Sequence, residues 1–155
     1  SPVSTAMGAY FNKKAYTDPA LRRKYTRMGF WVNIRLIRYP DVLLMAAESA
    51  NEKGLMGEAS GYLEQVRAHA RGTLTNVLPK VESLDQSVLR EAIRHERRVE
   101  LGLEPDRFYD LVRWGIAQEV LQAAGKNYQP KNALLPLPQT EIDKSNGVLI
   151  QNPDY

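Results

Sequence analysis

The sequence contains no cysteine and only two histidines. The first absence excludes a disulfide framework, a thiol nucleophile and a cysteine zinc site, while leaving the compartment open. No apolar run approaches the roughly 20 residues needed to span a bilayer. No glycine-rich phosphate loop is present, and no nucleophile–base pair or cluster of metal-ligating side chains can be assembled from the spacing. Catalytic residues, metal and cofactor are therefore all expected to be none. The chain starts at Ser1-Pro2-Val3, without an initiating Met or a signal peptide. It reads as a mature product or a piece of a longer protein.

The 155 residues are 43% hydrophobic and 25% charged, which suits one folded domain with a modest core. The net charge of +3 is unevenly placed. Residues 1–38 hold eight Lys/Arg against Asp18 alone, a balance of +7, and the remainder carries −4. This basic arm is interleaved with Tyr10, Phe11, Tyr16, Tyr25, Phe30 and Trp31 and holds no regular period. Such an arm suits single-stranded nucleic acid, by phosphate contact and base stacking. It equally suits covering an acidic surface that is missing from this chain, and this second reading is preferred because no recognised nucleic-acid motif is present.

Helical signals begin at Tyr39-Pro40-Asp41, where Pro sits inside a first turn. Val42, Met45, Ala46, Ser49 and Ala50 make one apolar or small face. Leu43, Leu44 and Ala47 widen it, so burial on more than one side is expected. Gly54 stops this helix. A second helix opens at Gly57 or Glu58 and runs to about Arg71, with Ala59, Tyr62, Leu63, Val66 and Ala70 inward. The short connection makes the two helices antiparallel neighbours, a hairpin of the tetratricopeptide kind. No repeat occurs at the 34-residue period that would make it an array.

Residues 73–84 form a linker, and Ser83 with Gln86 predicts a capping box. In the helix that follows, Leu89, Ile93, Glu96, Glu100 and Leu103 fall on one stripe. Two carboxylates on an inward stripe need guanidinium partners. The nearest in sequence are Arg94, Arg97 and Arg98, then Arg107 and Arg113 beyond the break at Glu104-Pro105-Asp106. The expectation is a structural clamp of Glu96 and Glu100 with Arg107 and Arg113 at a helical corner filled by Phe108, Leu111, Val112 and Trp114. A solvated charged face and an acid–base carboxylate pair are the alternatives. Ile116 to Ala124 should form a short helix ending at Gly125. The tail from Lys126 is extended and Pro-rich, with one helical turn at residues 140–143 and a turn at Asn146-Gly147. The fold class expected is mainly α: helical hairpins of tetratricopeptide-like kind, an irregular arm over 1–38, a scaffold over 39–125, and a tail over 126–155 packed on the helices.

Four stretches also carry a resemblance. They are E-R-R-V-E-L at 96–101 with R-F-Y-D-L-V-R-W-G at 107–115, R-Y-P-D-V-L-L-M-A-A-E at 38–48, V-R-A-H-A-R-G at 66–72, and the ending Q-N-P-D-Y at 151–155. Together they resemble the SusD/RagB family of outer-membrane glycan-binding lipoproteins, over about residues 36–155. The chain departs from the family pattern at Pro105 and Asp154, where glycine is usual, and at His69, where arginine is usual. Family members are several times longer. The resemblance implies a non-catalytic protein that binds oligosaccharide or another nutrient outside the outer membrane. It further implies a lipid anchor upstream of these residues and a TonB-dependent, SusC-like transporter as partner, with no nucleic acid. Its matched motifs read as scaffold. Carbohydrate contact is assigned instead to aromatics and polar groups outside the helices: Trp31 and Tyr25, with Arg27 and Asn33. A helical-hairpin module for a protein partner, or a nucleic-acid binder working through the basic arm, are the alternatives.

Overall fold

Proline at the second position of a helix has its φ preset and no N–H to lose. That is how the first helix begins. The structure, a computed structural model, describes Lys14 and residues 35–155. Among them every regular element is helical. They fall into two compact units, one up to Leu103 and one from Glu104 to Tyr155. The candidate carbohydrate contacts Tyr25, Arg27, Trp31 and Asn33 lie outside the described residues.

In the first unit, α1 (Tyr39–Glu52) follows an extended Arg38, with Pro40 and Asp41 in its first turn. It ends in a Schellman pair: Leu55 N donates to Ala50 O and Gly54 N to Asn51 O. Gly54 has φ +77°, the left-handed conformation in which glycine has no Cβ penalty. Two residues later α2 (Met56–Arg71) begins and runs back along α1 as an antiparallel partner. α3 (Gln86–Glu100) packs against both. Leu43, Leu44, Ala47 and Ala50 meet Ala59, Leu63 and Val66 of α2 and Leu89 and Ile93 of α3 in one core. Ala47 and Ala59 are fully buried, and their small size lets the hairpin helices close on each other.

The structure amends the sequence reading in four places. The buried side of α1 is Leu43, Leu44, Ala47, Ala50 and Asn51, whereas Val42 and Met45 are 45% and 42% exposed. Within α2, Ala70 is exposed and Tyr62 only half-buried, while Ser60 joins the buried set. The cap of α3 is Asp85, not Ser83: its carboxylate accepts from Ser87 N at 2.9 Å and Val88 N at 3.0 Å. Gln86, released from a capping role, exchanges bonds with Asn51 at the far end of α1. Finally, α3 stops at Glu100, and Leu103 is left 72% exposed at φ +66°. The chain turns left-handed there, two residues before Pro105, whose ring holds φ negative.

The second unit is built on α4 (Arg107–Arg113) and α5 (Ala117–Ala123). A second Schellman pair at Gly115 (φ +71°) turns one into the other. Leu111, Ala117 and Tyr128 form its core, with Phe108, Val112, Ile116, Val120 and Leu121 packed around them. Phe108 meets Tyr128 edge to face at 6.4 Å. A 3-10 turn at Pro130–Ala133 and α6 (Gln139–Lys144) follow. The tail then closes on itself through side chains. Gln151 donates to Leu137 O at 2.9 Å and accepts from Leu137 N at 2.8 Å, replacing the strand that would otherwise pair there. Asn152 donates to Leu135 O, and the Tyr155 hydroxyl to Leu134 O. Asp154, at the position where the resemblance expects glycine, takes φ +67°, a conformation that Asp tolerates better than most residues.

Two predictions follow from this packing. Leu44→Ala or Leu89→Ala should lose about 2–5 kcal/mol by transfer and cavity terms, and Val42→Ala no more than about 0.5 kcal/mol as a surface change, read by urea denaturation of the full chain. Equal losses at Val42 and Leu44 would return α1 to burial on both sides. The second concerns Asp85. Its carboxyl is held below the usual Asp range by the Ser87 hydroxyl first and then by the Val88 and Ser87 amides. A depressed pKa gives stability that is present above the unfolded pKa and is lost as pH falls through the folded one. Asp85→Ala should therefore melt lower than the parent chain at neutral pH, and the two should converge in acid.

Candidate functional site

The polar side of α3 is where the first unit concentrates its chemistry. Arg97 is buried and donates to Asp41 Oδ1 at 2.8 Å, joining α3 to the first turn of α1. The positive end of the α1 dipole favours the same carboxylate. Glu96, also buried, accepts from Arg67 Nη1 at 2.7 Å, joining α3 to α2. Arg67 also donates to Pro79 O, and Arg71 donates twice to Leu78 O, so the linker is held down by guanidiniums from α2. Glu100 accepts from Arg38 Nη1 at 2.8 Å, and Arg38 Nη2 reaches the Glu100 carbonyl at 2.9 Å. Lys14 donates to that carbonyl as well and to Gly102 O at 3.3 Å. Cations gather here because the last carbonyls of a helix are unsatisfied and carry its negative end.

These partners correct the clamp expected from sequence. The carboxylates at 96 and 100 are matched with Arg67 and Arg38. In the second unit, Arg113 pairs with buried Asp110 at 2.8 Å. Arg107 and Arg113 both lie over the Trp114 ring, 5.7 and 4.9 Å from its centre, a cation–π arrangement. Three members of the basic arm, Lys14, Arg35 and Arg38, form one chain of contacts onto the end of α3, with Arg35 donating to Lys14 O at 2.7 Å. Lys14 and Arg38 therefore meet an electronegative helix end within this chain, where the sequence reading placed the covered surface outside it.

Next to the Arg38–Glu100 pair lies a groove of about 830 Å³. Ile37, Pro40, Leu43 and Val66 give it apolar walls; Arg35, Gln65 and His69 supply polar groups, and Tyr39 a largely exposed ring. It begins two residues after Asn33, where the candidate contact stretch meets the described chain. Its volume falls within the range of small-molecule sites. The one carboxylate that lines it, the half-buried Glu100, is paired with Arg38. Among the described residues no group of three or more His, Asp or Glu is placed to hold a metal ion.

Sequence reasoning missed Asp41, Arg67 and Arg38 as partners. Their signal was present in part: Arg67 stands four residues after Leu63 and Asp41 three before Leu44, so both extend a buried stripe. Removing a partner from a buried pair leaves an uncompensated charge. Arg97→Ala should cost about 3–5 kcal/mol, and Arg90→Ala, which breaks the exposed bond to Glu52, far less, because water screens that pair. Denaturation curves of the two variants decide it; an Arg97 variant no weaker than the Arg90 one would return this pair to the surface.

Comparison with known proteins bears on the whole chain. The SusD/RagB family model, described as the SusD family, matches residues 2–155. SusD-like protein P25 of Formosa agariphila is 39% identical over 124 residues, covering 76% of this chain and 23% of its own. SusD-like protein P2 of the same organism is 36% identical over 127 residues, 77% of this chain and 25% of its own. A crystal structure of a SusD homolog from Bacteroides thetaiotaomicron superposes with a TM-score of 0.69 at 32% identity, over 77% of this chain and 26% of that one. The chain thus spans about a quarter of the length of the relatives it matches. With its helical hairpin, its motifs and this near end-to-end match, the chain belongs to the SusD/RagB family.

Proposed function

We propose that this chain is part of a non-catalytic binding protein that captures oligosaccharide for nutrient uptake. It works at the outer face of the outer membrane, held by an upstream lipid anchor, with a TonB-dependent, SusC-like transporter as its partner. The observation that carries the reading is membership of the SusD family across residues 2–155. The chemistry of the described residues supports it. Carboxylates are spent on Arg pairs that hold helices together, and the groove beside α1 offers apolar walls with polar groups, a surface for holding a ligand. No described helix is long and apolar enough to cross a membrane.

A second reading has an observation of its own. Leu36, Ile37, Tyr39, Val42 and Met45 are exposed along one side of α1 and the segment before it. Exposed apolar surface of this kind favours protein contact, which supports a helical hairpin acting as a protein-docking module.

Intrinsic fluorescence titration of the full-length parent protein with oligosaccharides separates the two. Trp31→Ala and Tyr25→Ala should each weaken glycan binding without lowering the melting temperature. Arg27→Ala and Asn33→Ala should do so to a smaller extent. Glycan binding unaffected by all four would place the sugar site away from residues 25–33. A parent that binds no glycan but copurifies with another protein would favour the docking module.

A further inference from the structure

The turn that returns the tail after α6 holds the single Asn-Gly pair of the sequence, an asparagine amide beside an unhindered backbone nitrogen. We propose that Asn146–Gly147 is a site of spontaneous modification, at which the asparagine converts to isoaspartate and releases the tail. Asn146 is exposed and left-handed, at φ +52°, and Gly147 follows at φ +85°. Neither the Asn146 amide nor Gly147 N is held by a hydrogen bond among the described residues, in contrast to their neighbours on both sides. Nothing lies within 4 Å of where a Gly147 Cβ would stand, so the 146–147 peptide plane is free to turn toward the side chain.

The chemistry needs only water. Gly147 N attacks Asn146 Cγ, a C–N bond forms, and the Cγ–Nδ2 bond breaks. The proton lost from Gly147 N leaves with Nδ2 as ammonia. Water then opens the five-membered imide at one of its two carbonyls. Opening at Cγ gives aspartate; opening at the main-chain carbonyl gives isoaspartate, in which the backbone runs through Cβ and is one carbon longer. The other described asparagines are protected. Asn51 is fully buried, the Asn132 amide is bonded to Gln129 N and the Tyr155 hydroxyl, and Asn152 precedes a proline with no N–H. Asn76 and Asn127 precede Val77 and Tyr128, whose Cβ atoms hinder ring closure.

The extra backbone carbon falls inside a tightly bonded turn. Ser145 O accepts from Val148 N at 3.2 Å, and Ser145 Oγ accepts from Leu149 N at 2.9 Å while donating to Ile142 O at 2.7 Å. Lengthening the chain between Asn146 and Gly147 displaces Val148 and Leu149 from Ser145, and these two residues lead directly to Gln151 and its lock on Leu137.

The test is ageing of the full chain in mildly alkaline buffer, followed by peptide mapping and enzymatic isoaspartate methylation. The mass gain of NH replaced by O should accrue on the peptide spanning residues 145–151 an order of magnitude faster than on any other described asparagine. Asn146→Gln, which would have to close a larger ring, should abolish it. Hydrogen exchange should show the aged fraction losing protection at Val148 and Leu149, while Asn146→Asp, which adds the charge without lengthening the backbone, retains it. Modification spread evenly over the asparagines, or persisting in Asn146→Gln, overturns the site; an aged fraction that keeps its protection overturns the release of the tail.

Discussion

The Arg97–Asp41 pair is the contact on which the three-helix unit depends. Both groups are buried, and the bond joins the last turns of α3 to the first turn of α1. Its neighbour, Glu96–Arg67, joins the same stretch of α3 to α2. Consecutive residues of one helix therefore reach two different partners, with opposite polarity: 97 supplies the cation and 96 the anion. A register shift of α3 by a single residue would set Arg97 against Arg67 in one direction, or Glu96 against Asp41 in the other. Leucine packing alone is far more tolerant of such a slip, since a shifted apolar face is still apolar. The apolar core supplies the driving force, and the paired charges select one register.

The second unit is held together differently. It has a small core on Leu111, Ala117 and Tyr128 and a long irregular tail that needs partners for its backbone. Amide side chains provide them. Gln151 satisfies both polar groups of Leu137, and Asn132 Oδ1 accepts from Gln129 N at the 3-10 turn. Buried or half-buried backbone has to be hydrogen-bonded by something, and here glutamine and asparagine do what a neighbouring strand does in a sheet. The cost is dependence on single side chains, in a segment whose apolar residues Val148 and Ile150 remain exposed.

These uses of charge recur along the family's motifs. Glu96, Glu100, Asp41 and Asp110 are each matched with a guanidinium. Lys14 and Arg38 are likewise engaged with the end of α3. The family's motifs at 38–48, 66–72 and 96–101 contain the residues that make these pairs: Arg38 and Asp41, Arg67, then Glu96, Arg97 and Glu100. In this chain those motifs are the fold's own fastening.

What the sequence by itself determined is local. Proline at 40 and glycines at 54, 115 and 125 mark where helices start and stop, because their backbone preferences act within a few residues. The 3.6-residue period marks Leu63, Leu89 and Ile93 as inward for the same reason. The joint occurrence of four motifs made the family legible. Only the tertiary structure decided which of two apolar faces of α1 is covered, because Val42 and Leu43 are equally apolar and the choice rests with α2 and α3. Only it decided the ion pairs: Asp41 with Arg97, Arg67 with Glu96, and Arg38 with Glu100 are 56, 29 and 62 positions apart. The sequence reading offered Arg107 and Arg113 because they were near along the chain. Folding had nearer ones in space, and electrostatic attraction depends on distance in space, not along the chain.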